Sequence, residues 1–376
     1  MGGQGEVVLK IQKNLLELSQ EAYVITSGVN IPGYPNTLRT GGSKRLFYAT
    51  SAAFLNWIRR MDFDVINVHL ESGMGLVPFL TASKSRAKIV TTLHTSYLCE
   101  RRSIHRLLGF RKEHAHPIID EYAVKYLLTP IKYLGTYIDC AFSDRIVAVS
   151  ARTAEECKVD YKIPEEKMSV IHNGVDLTEF NSQIDRTRIR NKFSLGEKPM
   201  ILAVGCSTIG KGIPFLLRSM VDVVAQLPDA KLIVVGSRRY KDQMQSLAKD
   251  LGIQHNVIFP GLVTHNEIPF YYAACDIVAV PSIYEAFPLV VLEAMASGRP
   301  VVASRVGGIP EAIETDSNGI LFKVGDVSQL TSALISLLGD ECLRAKMGRE
   351  ARLTAETRYD WKKIADRYLA EFESLL

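Results

Sequence analysis

The 376-residue chain has no run of about 18 apolar residues, so it offers no candidate for a membrane-spanning helix. Its first residues, Met-Gly-Gly-Gln-Gly-Glu, have neither the basic nor the apolar region of a signal peptide. The six cysteines (Cys99, Cys140, Cys157, Cys206, Cys275 and Cys342) are scattered, with no Cys-x-x-Cys pair. That argues against a zinc ribbon or a disulfide framework and for reduced thiols, and the expected location is cytoplasmic. Charge of either sign is not in excess: a net +4 gives no reason to expect nucleic acid as a partner. What is present, 47% hydrophobic and 23% charged residues, suits a globular protein long enough for two domains.

Short β-rich runs alternate with helical stretches almost throughout, the pattern of parallel α/β sheets. Strands are predicted at 22–26, 65–69, 88–93, 145–150 and 168–172, then at 200–205, 231–236, 257–260, 276–281, 300–304 and 319–322. The polar stretch 176–198, with Arg186, Arg188 and Arg190, reads as a linker. Two Rossmann-like domains with a ligand cleft between them are expected, because open parallel sheets bind at the carboxyl ends of their strands. The predicted domains are 1–178 and 179–358, followed by an amphipathic helix at 359–376 carrying Trp361, Ile364, Tyr368, Leu369 and Phe372.

The segment Pro281-Ser-Ile-Tyr-Glu285-Ala-Phe-Pro-Leu-Val-Val-Leu-Glu293-Ala-Met-Ala-Ser-Gly298 carries the most chemistry. A buried strand precedes it. Pro288 fits the first position of a helix closed by Gly298. Glu285 then falls in the strand-to-helix turn and Glu293 inside the helix, with the free helical N–H groups of Leu289 and Val290 between them. A carboxylate on each side of a phosphate cradle suits a nucleotide-sugar. The block resembles the E-x7-E signature of retaining glycosyltransferases of family 4, which have the GT-B fold. That resemblance implies that the final helix packs back onto the first domain, and that Glu293 holds ribose while Glu285 orients the donor sugar. It also places Phe287, Leu289 and Val290 in the donor site.

Two further segments extend the resemblance. Gly205-Cys-Ser-Thr-Ile-Gly210-Lys211-Gly212 follows a strand and precedes an apolar-striped helix, a geometry that can hold a diphosphate through N–H groups and one ammonium. It matches the family's Gly-Arg-x4-Lys-Gly segment, so Lys211 maps onto the phosphate-binding lysine. Cys206 stands at the arginine position, and a thiol lacks guanidinium's charge and bidentate hydrogen bonds. In the resembling enzymes the loop equivalent to Gly261–Val263 contacts the base, which brings in Gly261 and Leu262. Gly2-Gly3-Gln4-Gly5 resembles the glycine loop after the family's first strand, so Gly3 joins the leaving-diphosphate site. That strand itself is absent from the sequence, and the full protein is expected to carry about a dozen further residues, a strand plus turn.

His94 ends the strand 88–93, the position where α/β domains place chemistry, and the family has a histidine there, near the transferred sugar and the acceptor. Residues 97–117 interleave Arg101, Arg102, His105, Arg106, Arg111, Lys112, His114 and His116 with Ile104, Leu107, Leu108 and Phe110. The stretch suits a phosphate-bearing lipid or the inner face of an anionic membrane, and equally a solvated loop. The sequence thus implies a retaining glycosyltransferase that uses a nucleoside-diphosphate sugar (UDP, GDP or ADP linked), with a glycan, glycolipid or lipid-linked acceptor. Neither a metal nor a cofactor is implied. A GT-B sugar-nucleotide epimerase and a non-catalytic nucleotide-sugar-binding protein are the alternatives.

Overall fold

A computed structural model describes residues 3–26, 37–39, 63–70, 86–96, 98–99, 102–103, 119–205, 209–236 and 241–376. The chain divides into two compact units: residues 1–173 with 361–376, and residues 174–360. Both are parallel α/β, as the alternation of strands and helices predicts.

Unit 1 opens on helix α1 (Gly3–Glu17), followed by the short parallel strands β1 (Val24–Thr26) and β2 (Thr37–Arg39), which pair only with each other. Strand β2 was not anticipated by the sequence pattern. Strands β3 (Val65–Leu70) and β4 (Lys88–Leu93) come next, then helix α2 (Ile119–Ala141), β5 (Arg145–Ala148), helix α3 (Ala151–Tyr161) and β6 (Met168–Val170). Strands β3 to β6 form one parallel sheet in sequence order. The β-branched run in β4 and β5 is buried, with Val90, Ile146 and Val147 fully enclosed. Ser150 starts α3 by accepting the Thr153 N–H at 3.0 Å, and Lys162, at φ 53°, ends it.

Unit 2 contains α4 (Thr187–Lys192), β7 (Met200–Val204), α5 (Ile213–Gln226), β8 (Lys231–Val235), α6 (Lys241–Asp250) and β9 (Val257–Gly261). There follow α7 (Ile268–Ala274), β10 (Ile277–Val280), α8 (Leu289–Ala296), β11 (Val301–Ser304), α9 (Ile309–Ala312), β12 (Gly319–Phe322), α10 (Val327–Gly339) and α11 (Glu341–Arg358). The sheet runs β12-β11-β10-β7-β8-β9, all parallel. Strand order therefore reverses between β7 and β10, and ligands in such sheets bind outside the strand ends at that point. Leu216, Leu217, Ile277, Val302, Leu334 and Leu337 are fully enclosed in its core.

The stretch 176–198, read as a linker, is built into this unit. Arg190 is 3% exposed: it donates to the carbonyls of Ala274, Gly196 and Lys198 and pairs with Asp276 at 3.0 Å. A buried guanidinium with all these partners ties 186–198 to the start of β10.

The last helix, α12 (Trp361–Glu373), belongs to unit 1. It buries Trp361, Ile364 and Tyr368, and Glu371 meets Arg145 at 2.8 Å. Among the described residues, no helix is long and apolar enough to cross a membrane.

Near the end of α2 lies the buried carboxyl of Asp139, neither of whose oxygens has a hydrogen-bond partner among the described residues. Burial pushes its pKa up to about 8. The ordinary value is about 4, so the folded state resists ionisation that the unfolded chain accepts. The group's stability contribution is intact below pH ~4 and is lost progressively as pH rises toward 8. Asp139→Asn removes that loss. The variant's melting temperature should exceed the parent's by a margin that grows from pH 4 to pH 8, reaching roughly 3 °C or more; melts across this range check it.

Candidate functional site

The residues at the reversal point of unit 2 are held by contacts between loop backbones. After β7, Gly205 has φ 78°, a 3-10 turn covers Ile209–Lys211, and Gly212 at φ 68° starts α5. After β10 comes the loop 281–288. The Gly210 carbonyl accepts the Ile283 N–H at 2.8 Å, and a Cβ on Gly212 would lie 1.8 Å from the Pro281 carbonyl oxygen. The two loops therefore approach as closely as backbone allows, and only glycine fits at 212. A third loop, after β11, closes on the same segment. Gly307 has φ 52°, a Cβ there would fall 1.5 Å from the Glu285 carbonyl oxygen, and the Gly308 N–H reaches that oxygen at 3.2 Å.

This clamp brings Lys211 and Glu285 together. Lys211 Nζ lies 2.6 Å from Glu285 Oε1, and the Ser282 hydroxyl donates to the same oxygen at 2.8 Å. The Ser304 hydroxyl donates to the Ser282 carbonyl, tying this segment to β11. Glu285 is largely buried and Lys211 partly so. Glu285 Oε2 makes no hydrogen bond among the described residues, which leaves one carboxylate oxygen for a ligand hydroxyl.

Helix α8 starts beside this pair. Pro288 is its cap residue, one position outside the helix, and no side chain caps the helix. The N–H groups of Leu289 and Val290 thus open a helix end that favours an anion. Gly298, at φ 67°, ends the helix with its N–H on the Met295 carbonyl at 2.9 Å. Residues Val291–Ala296 are all buried, including Glu293 at 8% exposure. Glu293 is tolerated there because the enclosed Tyr272 hydroxyl, from α7, donates to its Oε2 at 2.7 Å. Phe180 packs edge-on against Tyr272 at 5.7 Å. Sequence reasoning did not find Tyr272, because Phe270-Tyr-Tyr-Ala-Ala reads simply as a core helix.

The other expected site residues are distributed around this centre. Phe287 is buried, its ring tilted against Tyr359 at 5.6 Å. Gly261, at φ 87°, ends β9, two strands away from β7, and accepts the Gly236 N–H at 3.1 Å. Leu262 beside it is 74% exposed. Cys206 lies outside the described residues.

In unit 1, Gly3 is the first residue of α1, and its neighbours in the first turn are N–H groups without an intrahelical acceptor. His94 follows β4 and is buried, its Nε2 3.0 Å from His69 Nδ1 with the rings stacked at 5.2 Å. Burial pushes His94 down to about 4, and burial together with the neighbouring His94 holds His69 well below its ordinary value. Both rings are therefore neutral near pH 7. Of the basic stretch 97–117, Arg102 is described, and it pairs with Asp160 at 2.5 Å, so its charge is matched within unit 1. The histidines at 105, 114 and 116 lie outside the described residues.

Comparison with known proteins assigns the family. A model of "Glycosyltransferase Family 4" matches residues 1–179 and one of "Glycosyl transferases group 1" matches 185–354. An uncharacterized glycosyltransferase of Methanocaldococcus jannaschii is 34% identical over 376 aligned positions, covering 94% of this chain and 90% of that protein. The N-acetyl-alpha-D-glucosaminyl L-malate synthase of Bacillus anthracis is 28% identical, covering 98% and 93%. Among solved structures, Anabaena HepE in complex with UDP and glucose superposes with a TM-score of 0.79 at 20% identity, covering 100% of this chain and 96% of HepE. The chain belongs to the family 4 glycosyltransferases and has the GT-B fold.

The backbone clamp is directly testable. Gly252→Ala, at φ 74° with nothing within 4 Å of the added Cβ, should cost only the left-handed strain of about 1–2 kcal/mol. Gly307→Ala adds a collision with Glu285 to the same strain and should cost clearly more in urea unfolding of the same protein.

Proposed function

We propose that this glycosyltransferase moves a sugar from a nucleoside-diphosphate sugar to an acceptor hydroxyl with retention of configuration. The observation that carries the reading is the Lys211–Glu285 pair at the sheet's reversal point, beside the uncapped start of α8 and one helix turn from the buried Glu293. An ammonium and two N–H groups suit a diphosphate; two carboxylates suit the hydroxyls on either side of it.

The roles follow from the chemistry of each group. Glu293, already oriented by Tyr272, binds the ribose hydroxyls of the donor. Glu285 orients the donor sugar through Oε2. Lys211 leaves Glu285 for the diphosphate, so that the charge developing on the departing phosphate meets a preplaced cation and the amides of Leu289 and Val290. The peptide groups of Gly261 and Leu262 serve the base, the Phe287 backbone shapes the sugar side, and the N–H groups near Gly3 serve the leaving diphosphate. In unit 1, His94 hydrogen-bonds a sugar or acceptor hydroxyl. With retention at the front face, the leaving phosphate helps take the acceptor proton, and neither metal nor cofactor has a part in the step.

A nucleotide donor is supported by the structural neighbour HepE, which holds UDP and glucose. Glycans, glycolipids and lipid-linked sugars are the acceptor classes proposed here, with peripheral association of 97–117 at an anionic inner membrane face. Flotation with liposomes should then depend on anionic lipid.

A melting-shift screen with UDP, GDP, ADP and their sugars should single out one base, and the matching sugar should be transferred with its anomeric configuration kept. Glu285→Gln should lower kcat about 100-fold with donor affinity nearly intact. Glu293→Ala should instead weaken donor binding about tenfold or more. A screen in which no nucleoside diphosphate shifts the melt, or in which both variants behave as the parent, contradicts the reading.

A further inference from the structure

His94 does not stand alone in unit 1; it ends a hydrogen-bonded line that runs through Thr92, Asn67 and His69 and is joined at Thr92 by the buried Tyr368. The Thr92 hydroxyl donates to Asn67 Oδ1 at 2.9 Å. The Asn67 amide places its Nδ2 toward His69 Nε2, 3.1 Å away. An amide nitrogen only donates, so His69 Nε2 accepts and carries no proton. The proton of neutral His69 then sits on Nδ1, which faces His94 Nε2 at 3.0 Å. His94 Nε2 accepts in turn, and the proton of neutral His94 is on Nδ1. Register makes this possible: β3 and β4 pair in parallel with His69 opposite Thr92, so Asn67, His69 and Thr92 all lie within reach of the end of β4.

We propose that Asn67 and His69 are positioning residues that fix His94 as a neutral ring with its proton on Nδ1, making it a hydrogen-bond donor to a ligand oxygen and not a proton acceptor. Among the described residues His94 Nδ1 has no partner, so its N–H is the end of the line that remains to be used. His94 is buried and His69 partly so, and the stacked contact removes the imidazolium alternative, since two charged rings so placed would repel. The consequence for transfer, which rests on the proposed glycosyltransferase role of His94, is that this residue orients and polarises a hydroxyl or ring oxygen. The acceptor proton goes elsewhere, to the leaving phosphate.

The test uses the full chain labelled with 15N-histidine. In the parent protein near pH 7, His94 should show a protonated Nδ1 and an unprotonated Nε2, with His69 in the same tautomer. His69→Phe removes the donor to His94 Nε2: His94 should then sample both tautomers, and kcat should fall about tenfold at unchanged donor KM. His69→Asn, whose amide nitrogen can take the Nδ1 position and still donate, should restore both the tautomer and most of kcat. A parent spectrum with His94 protonated on Nε2, or on both nitrogens, overturns the proposal even if the enzyme is active. So does a His69→Phe variant that keeps tautomer and kcat. If His69→Phe does not fold, the parent spectrum and His69→Asn decide. If no donor is turned over, the spectrum still decides the tautomer, and that failure counts against the transferase reading alone.

Discussion

The contact between the loop after β7 and the loop after β10 is the constraint on which the chemistry of unit 2 depends. The Gly210 carbonyl bonds the Ile283 N–H, and Gly212 has no room for a side chain against Pro281. Gly307 then presses from the third loop onto the Glu285 peptide. The geometry selects glycine twice over, by its positive φ and by the absence of a Cβ. Its product is an ion pair at the sheet's reversal point, placed beside a helix start. The pair is partly shielded from water, so Lys211 and Glu285 each need a partner when the donor is absent. A diphosphate can take over the lysine while a sugar hydroxyl takes the carboxylate, which exchanges one set of charge-assisted bonds for another at little net cost.

Unit 1 solves its polar problem with neutral groups. Thr92, Asn67, His69 and His94 bond one another in a line whose direction follows from the placement of Asn67 Nδ2, which can only donate. Glu293 in unit 2 is handled similarly, by one tyrosine hydroxyl brought from α7. In both units the residue read as chemical is supported by a neighbour that looks structural.

Much of the architecture was legible in the sequence. The strand at 88–93 is reproduced without change and those at 145–150 and 276–281 end within two residues, because buried β-branched runs leave a strong local signal. The turn-and-helix placement of Glu285 and Glu293 was legible because Pro288 and Gly298 punctuate the helix, although Pro288 proves to be the cap residue. Three things were not legible. Arg190 looked like linker charge, and only the fold shows four acceptors around its buried guanidinium. Tyr272 sits in an apolar helix where its hydroxyl has no sequence signature. The polarity of the histidine line depends on a register between two strands about twenty residues apart, which local pattern cannot reveal.

In the proposed function, the Lys211–Glu285 site at the reversal point holds the diphosphate of a sugar donor. A crystal structure with a bound nucleoside diphosphate tests it most directly. Lys211 Nζ and the amides of Leu289 and Val290 should lie on the phosphate oxygens, with the ribose hydroxyls on Glu293. A nucleotide bound elsewhere, with Lys211 still on Glu285, would contradict it.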